Sequence, residues 1–104
     1  MYRTTLTMTV HEGFEEKFER TWARYADEIK TMDGQHGQAL LRDIFEPRRY
    51  TVTADWSSRT ALRSFQQSAL RAALSAELEP LRESATKHVA HVVTSVPAHR
   101  SVAA

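Results

Sequence analysis

The sequence predicts an α+β fold of the ferredoxin-like type, βαββαβ, with an antiparallel sheet and both helices on one of its faces. Three observations carry that expectation. Apolar and polar residues alternate near the start and in the middle of the chain, and a further strand-like run stands near its end. Between them lie two stretches whose apolar residues recur at three- and four-residue spacings. The order in which these patterns follow one another is that of the split βαβ arrangement.

Residues 2–10 open the pattern. Tyr2, Leu6, Met8 and Val10 fall on one side and Arg3, Thr5, Thr7 and Thr9 on the other. Period two with β-branched residues is a strand. Its threonine side is free to line a polar cavity as well as to face water. The period then switches. Phe14, Phe18, Trp22, Tyr25, Ile29 and Met32 form one apolar stripe, which predicts an amphipathic helix over roughly residues 12–31. Trp22 and Tyr25 read as core residues on that stripe. Glutamates cluster in the first turns, where the helix dipole favours them. Asp33-Gly34 is a stop signal, and Gly34 and Gly37 bracket an expected loop that carries His36.

Two strands follow, over residues 38–45 and 49–56, joined at Glu46-Pro47-Arg48 as a hairpin. Ser57 or Ser58 suits the N-cap of a second helical region. That region runs over about residues 58–84, with a break expected near Ser68 and an adjustment at Pro80. Residues 87–95 read as the last strand, ended by Pro97. Residues 1–96 therefore form a single domain, and 97–104 are expected to be a mobile tail.

Composition narrows the function classes. The chain has 104 residues, 41% hydrophobic and 26% charged, with a net charge of +1 and no cysteine. This size fits one compact domain that buries a modest share of its surface, so a second copy is expected to complete it. Without cysteine there is no disulfide framework and no thiolate chemistry. A near-neutral balance lacks the basic footprint of a nucleic-acid binder. No apolar run approaches the roughly 18 residues a bilayer span requires, and the start of the chain lacks a secretion signal. A cytoplasmic protein with neither nucleic acid nor membrane as partner is expected.

Chemistry is sparse. The five histidines make no i, i+4 pair on a helix and no HExxH, so no metal site is expected. His88 and His91 lie three apart on a strand and point to opposite faces, so one of them faces the open side of the sheet as a candidate acid or base. Three glycines are too few for a phosphate-cradling loop, and no GxSxG is present. No flavin, nicotinamide or nucleotide motif is found, and no cofactor is expected. Arg42 is either a solvated edge charge or an inward anchor for an anion or carbonyl. Trp56, at the end of a strand, either packs in the core or stacks on a planar ligand at the mouth of a cavity.

Several runs carry a resemblance: VHEGFEEKFERTW at 10–22, DGQHGQALLRD at 33–43, PRRY at 47–50 and DWSSRTALRSF at 55–65, continued by LRAALSAELEPLR at 70–82 and HVAHVV at 88–93. The chain resembles the antibiotic biosynthesis monooxygenase family over nearly its whole length. The positions that carry the likeness are Gly13, Phe18, Gly37, Leu41, Trp56 and Phe65. The resemblance implies a dimeric α+β barrel, two ferredoxin-like protomers joined through their sheets, each with a cavity between sheet and helices. It also implies oxidation of a phenolic ring to a quinone in an aromatic polyketide pathway, without metal, flavin or haem. The deprotonated substrate itself passes an electron to O₂. Trp56 matches the strand-end Trp of quinone-forming members. Where those members carry Asn, four residues earlier, this chain has Val52, and where they often carry Tyr, six residues later, it has Leu62. The haem-degrading pattern is absent: the first strand holds no Asn, and Gln66 stands where those relatives place a His. The chain contains no Asn at all.

The substrate-binding candidates are accordingly Trp56, Tyr50, Phe65 and Val52, and the catalytic candidates are His88 and His91 as acid or base and Arg42 as anchor for an anion or carbonyl. The expected function is that of a cofactor-independent, monooxygenase-like tailoring enzyme acting on an aromatic polyketide intermediate, with a homodimer as the working form. Two other readings stand beside it: a non-oxidative polyketide cyclase or isomerase on the same scaffold, and a non-catalytic binding or accessory protein of the pathway.

Overall fold

A computed structural model describes residues 1–99. Of the tail expected over 97–104, residues 100–104 lie outside the described residues. The elements are β1 (Tyr2–Val10), α1 (Glu15–Ile29), β2 (Gln35–Arg42), β3 (Arg49–Trp56), α2 (Arg59–Gln66), α3 (Ala69–Leu78), a 3₁₀ turn at Glu79–Leu81, and β4 (Arg82–His91). The four strands form one antiparallel sheet in the order β2-β3-β1-β4. The expected ferredoxin-like α+β fold is therefore observed, with the second helical region divided.

The division has a local cause. Ser68 Oγ accepts from Arg71 N at 3.1 Å as the N-cap of α3 and donates to Phe65 O at 2.6 Å at the end of α2. One hydroxyl thus closes one helix and opens the next. Ser58 caps α2 in the same way, accepting from Ala61 N at 3.1 Å.

Four boundaries differ from the sequence expectation. The last strand begins at Arg82 rather than at residue 87 and ends at His91 rather than at 95, because it pairs along the whole of β1, from Arg82 opposite Val10 to His91 opposite Tyr2. The second strand begins at Gln35, so His36 and Gly37 lie in a register irregularity of the sheet and not in a loop. That strand also ends early. Asp43 Oδ1 accepts from Phe45 N and Glu46 N, both at 2.8 Å, and bends the chain away. Ile44 and Phe45 are left exposed in the resulting six-residue connection instead of extending the strand.

Register decides which side chains meet the helices. Met8 and Val10 of β1 and Tyr50 of β3 pack with Phe18, Leu78 and Leu81 in one core cluster. The Phe18 and Tyr50 rings lie 4.9 Å apart. Ala54 and Trp56 pack with Ile29 and Leu62 in a second cluster. Each large apolar side chain removed from water in this way contributes about 1.5–3 kcal/mol.

The opposite face carries no helix. It presents Arg3, Thr5, Thr7 and Thr9 beside Thr51, Thr53 and Asp55, with Thr86, His88 and Ala90 along β4. On it Arg3 grips Asp55 with both ends of its guanidinium, at 2.7 and 3.0 Å. That hydrogen-bonded pair holds the Asp55 carboxyl below its ordinary value. A depressed carboxyl stabilises the fold above the ordinary carboxylate range, and this contribution is lost as pH falls through the folded-state value. Asp55→Asn is expected to lower stability near neutrality by about 1 kcal/mol or less, given the partial exposure of the pair. It is also expected to flatten the loss of stability on acidification through and below the ordinary carboxylate range, as read from urea midpoints.

Gly34 offers a second test. It has φ of 80°, and a Cβ there would lie 2.5 Å from Ala61 Cβ and 2.7 Å from Ser57 Oγ. Ser57 N also donates to Gly34 O at 2.8 Å, so the segment cannot simply move aside. Gly34→Ala is expected to destabilise by roughly 2–4 kcal/mol, combining the left-handed backbone with the overlap, measured by urea unfolding.

Candidate functional site

Between the sheet and the helices lies a cavity of about 240 Å³. The sheet contributes Thr4, Leu6, Val52 and Ala54 to its walls. Trp22 and Ile29 come from α1, and Leu62 and Phe65 from α2. These positions follow from the alternation: β1 and β3 turn their even-numbered residues toward the helices.

Trp56 is the focal residue. It has 0% of its surface exposed, and its ring stacks on Phe65 at 4.8 Å with 24° between the planes. Its indole nitrogen is buried without a hydrogen-bond partner. A buried donor left unpaired is unfavourable by about 1–3 kcal/mol, and this one belongs to a side chain that lines the cavity. An acceptor oxygen on a ligand would satisfy it.

The other polar groups are already committed or lie toward one side. Gln38 Nε2 donates to Ala26 O at 3.0 Å, and Thr4 Oγ1 donates to Ala54 O at 3.4 Å. Gln66, Arg71 and Ser75 line the cavity from the helices, and Arg82 and Lys87 from β4. Arg82 Nη1 lies 3.3 Å from the Met8 sulfur, to which it donates. The lining contains no carboxylate and no imidazole.

Of the residues singled out in the sequence, Trp56, Phe65 and Val52 come together in this cavity. The other four are placed elsewhere. Tyr50 shares the face of Val52 but is sealed in the first core cluster, where its hydroxyl donates to Glu19 Oε2 at 2.5 Å. Burial, and then that bond, raise its pKa above the ordinary phenol value. Arg42 stands across from Tyr50 on β2, an edge strand, with Nη1 3.6 Å from the same Glu19 oxygen. His88 lies opposite Thr5 and therefore on the open face, away from the helices. His91 is on the helix side but at the end of β4, stacked on Tyr2 at 4.9 Å.

Sequence reasoning did not single out the cationic lining. Arg71 had a legible signal: with Leu74, Ser75 and Leu78 it falls at spacings of three, four and seven, on the inward stripe of α3. Arg82 and Lys87 had none, since their segment shows no alternation of apolar residues. Trp22, which reads as plain core, is a cavity wall. Among the described residues no cluster of three or more histidine, aspartate or glutamate side chains is arranged to hold a metal ion, and no helix is long and apolar enough to cross a membrane.

Comparison with known proteins agrees with this architecture. The family model described as antibiotic biosynthesis monooxygenase matches residues 1–91. Among solved structures, SnoaB from Streptomyces nogalater, a cofactor-independent oxygenase, superposes with a TM-score of 0.83 at 22% identity, covering 93% of this chain and 97% of that one. A Bordetella bronchiseptica protein given the same family description superposes with a TM-score of 0.78 at 27% identity, covering 89% and 97%. A third, from Deinococcus radiodurans, reaches a TM-score of 0.86 at 12% identity, covering 96% and 100%. No curated protein matches the chain.

Proposed function

Because the chain belongs to the antibiotic biosynthesis monooxygenase family, we propose that it oxidises a planar phenolic ring, of the kind found in aromatic polyketides, with O₂ as oxidant and no cofactor. The observation that carries this reading is the unpaired indole nitrogen of Trp56, a side chain that lines the cavity. A phenol or anthrone seated against Trp56 and Phe65 presents its oxygen to that donor. A hydrogen bond to a developing oxyanion is worth more in a dry cavity than in water, and it favours the ionised ring. The ring proton leaves to solvent, since no lining side chain is a carboxylate or imidazole.

The ionised ring then passes one electron to O₂. Recombination at the ring carbon para to the oxyanion, with uptake of one proton from solvent, gives a hydroperoxide, and loss of water leaves the quinone carbonyl. One CH₂ and one O₂ become one C=O and one H₂O. The protein's contribution is seating, exclusion of water and stabilisation of the anion. Val52, Trp56 and Phe65 are the substrate-contacting residues in this reading. At 240 Å³ the cavity is slightly smaller than the ~300–1,000 Å³ typical of ligand pockets, which suits a ligand of few fused rings.

The open sheet face is assigned to a second copy of the chain. Its threonines and alanine are small, Leu41 beside them is half exposed, and no helix covers them. A two-fold packing of two such sheets encloses this face on itself. The expected sedimentation result at micromolar concentration is a dimer. Thr53→Arg, at the centre of the face between Thr5 and Ala39, is expected to give a folded monomer. A wild-type monomer under these conditions would refute the arrangement.

For the reaction, wild-type protein is expected to accelerate O₂ uptake by a 1,8-dihydroxyanthrone over buffer. Trp56→Phe keeps the stacking ring and removes the donor. It is expected to lower kcat at least tenfold with a far smaller change in KM, as follows from losing an interaction strongest in the transition state. Product formation without O₂ would instead indicate a cyclase or isomerase.

A further inference from the structure

The charge of the cavity is one-sided. The chain as a whole balances 14 basic against 13 acidic residues, yet the cavity is lined by three cations, Arg71, Arg82 and Lys87, and by no acid. None of the three forms an ion pair among the described residues. Two of the acids close along the chain are engaged elsewhere. Glu77 is held by Arg24 at 2.7 Å, and Glu83 by Arg48 at 3.0 Å. Among the described residues Arg82 has no polar side-chain partner beyond the weak acceptor sulfur of Met8.

Three unpaired cations beside apolar walls hold a standing positive potential, which an anion would relieve. Arginine's planar fork matches a carboxylate with two parallel hydrogen bonds. All three come from α3 and β4, whereas the stacked pair Trp56–Phe65 comes from β3 and α2. The ligand is thus met by aromatic groups from one set of elements and by positive charge from another.

We infer that the cavity selects an aromatic acid: a planar ring that also bears a carboxylate, with the ring on Trp56 and Phe65 and the carboxylate on Arg71, Arg82 and Lys87. This rests on the aromatic reading of the cavity proposed above and adds the charged substituent to it. The three cations act as specificity-determining residues, separate from the Trp56 donor.

The test is calorimetric titration with four probes: 2-naphthoate, its neutral analogue 2-naphthamide, 2-naphthyl phosphate and octanoate. The expected result is that naphthoate binds at least tenfold more tightly than the amide and more tightly than the phosphate ester. That preference should fall to below threefold in Arg82→Gln and in Lys87→Gln, with binding of the amide unchanged. Lys87 is exposed on an edge strand, so its variant keeps the test valid even where Arg82→Gln perturbs folding. Equal binding of acid and amide overturns the inference and leaves the aromatic reading standing. Tighter binding of the phosphate ester overturns it in favour of a phosphate-bearing ligand. Cation-dependent binding of octanoate with no binding of any naphthalene probe overturns the aromatic reading and, with it, the aromatic acid. Failure of all four probes refutes both.

Discussion

The pairing of β3 between β1 and β2 is the constraint on which the rest depends. Setting Trp56 opposite Tyr2 and Tyr50 opposite Met8 commits Tyr50, Val52, Ala54 and Trp56 to the helix side and Thr51, Thr53 and Asp55 to the other. A slip of one residue would exchange the two sets. Threonines would then meet Phe18 and Leu62, and a tryptophan would meet water. No other ladder has this leverage, because β2 and β4 are edges with one neighbour each.

The helices fill the space above that ladder incompletely. Met8, Val10, Phe18 and Tyr50 close one end of the sheet, and Tyr50 is sealed further by its hydroxyl bond to Glu19. Toward the other end α1 and α3 are held together across the surface by Arg24 and Tyr25, which both bond Glu77, while α2 turns aside at Ser68. The cavity is the volume these two arrangements leave between them. Its walls include the rings of Trp22, Trp56 and Phe65, the last two stacked on each other. Among those rings the indole nitrogen of Trp56 is left without a partner.

Much of this was legible in the sequence, for a physical reason that also explains the remainder. Elements buried on one face announce themselves by period, as β1, β3, α1 and α2 do, and from that period Trp56, Val52 and Phe65 fall on the walls of the cavity. The Ser68 break was legible from its capping chemistry. Edge strands carry no such mark. Arg82-Glu83-Ser84-Ala85-Thr86 has little to bury, so its pairing is visible only once β1 is seen to need a partner. Gln35-His36-Gly37 is hidden in the same way. Asp43 ends β2 through its side chain, a local bond that competes with the ladder and leaves the apolar Ile44 and Phe45 outside it. His88 and His91 drew notice as the titratable groups nearest an expected site. Alternation places one behind the sheet, and position at the strand end places the other beside Tyr2. The cations went unremarked because basic side chains are ordinarily solvated, and their common orientation is a property of several elements folded together.

The hydroxyl of Ser68 has a wider meaning. By ending one helix and starting another it places Phe65 and Arg71 on separate rigid segments joined by a two-residue hinge. In the reading proposed above, stacking and charge are then mounted on separate segments. Substitutions that re-angle α2 to admit a differently shaped ring need not disturb α3, and the reverse holds too. A continuous helix would have tied the two together, so that each gain in fit to one part of a ligand degraded the other. A scaffold of barely a hundred residues thereby acquires two adjustable parts where its length would suggest one, which is a route by which a small fold can diversify the molecules it accepts.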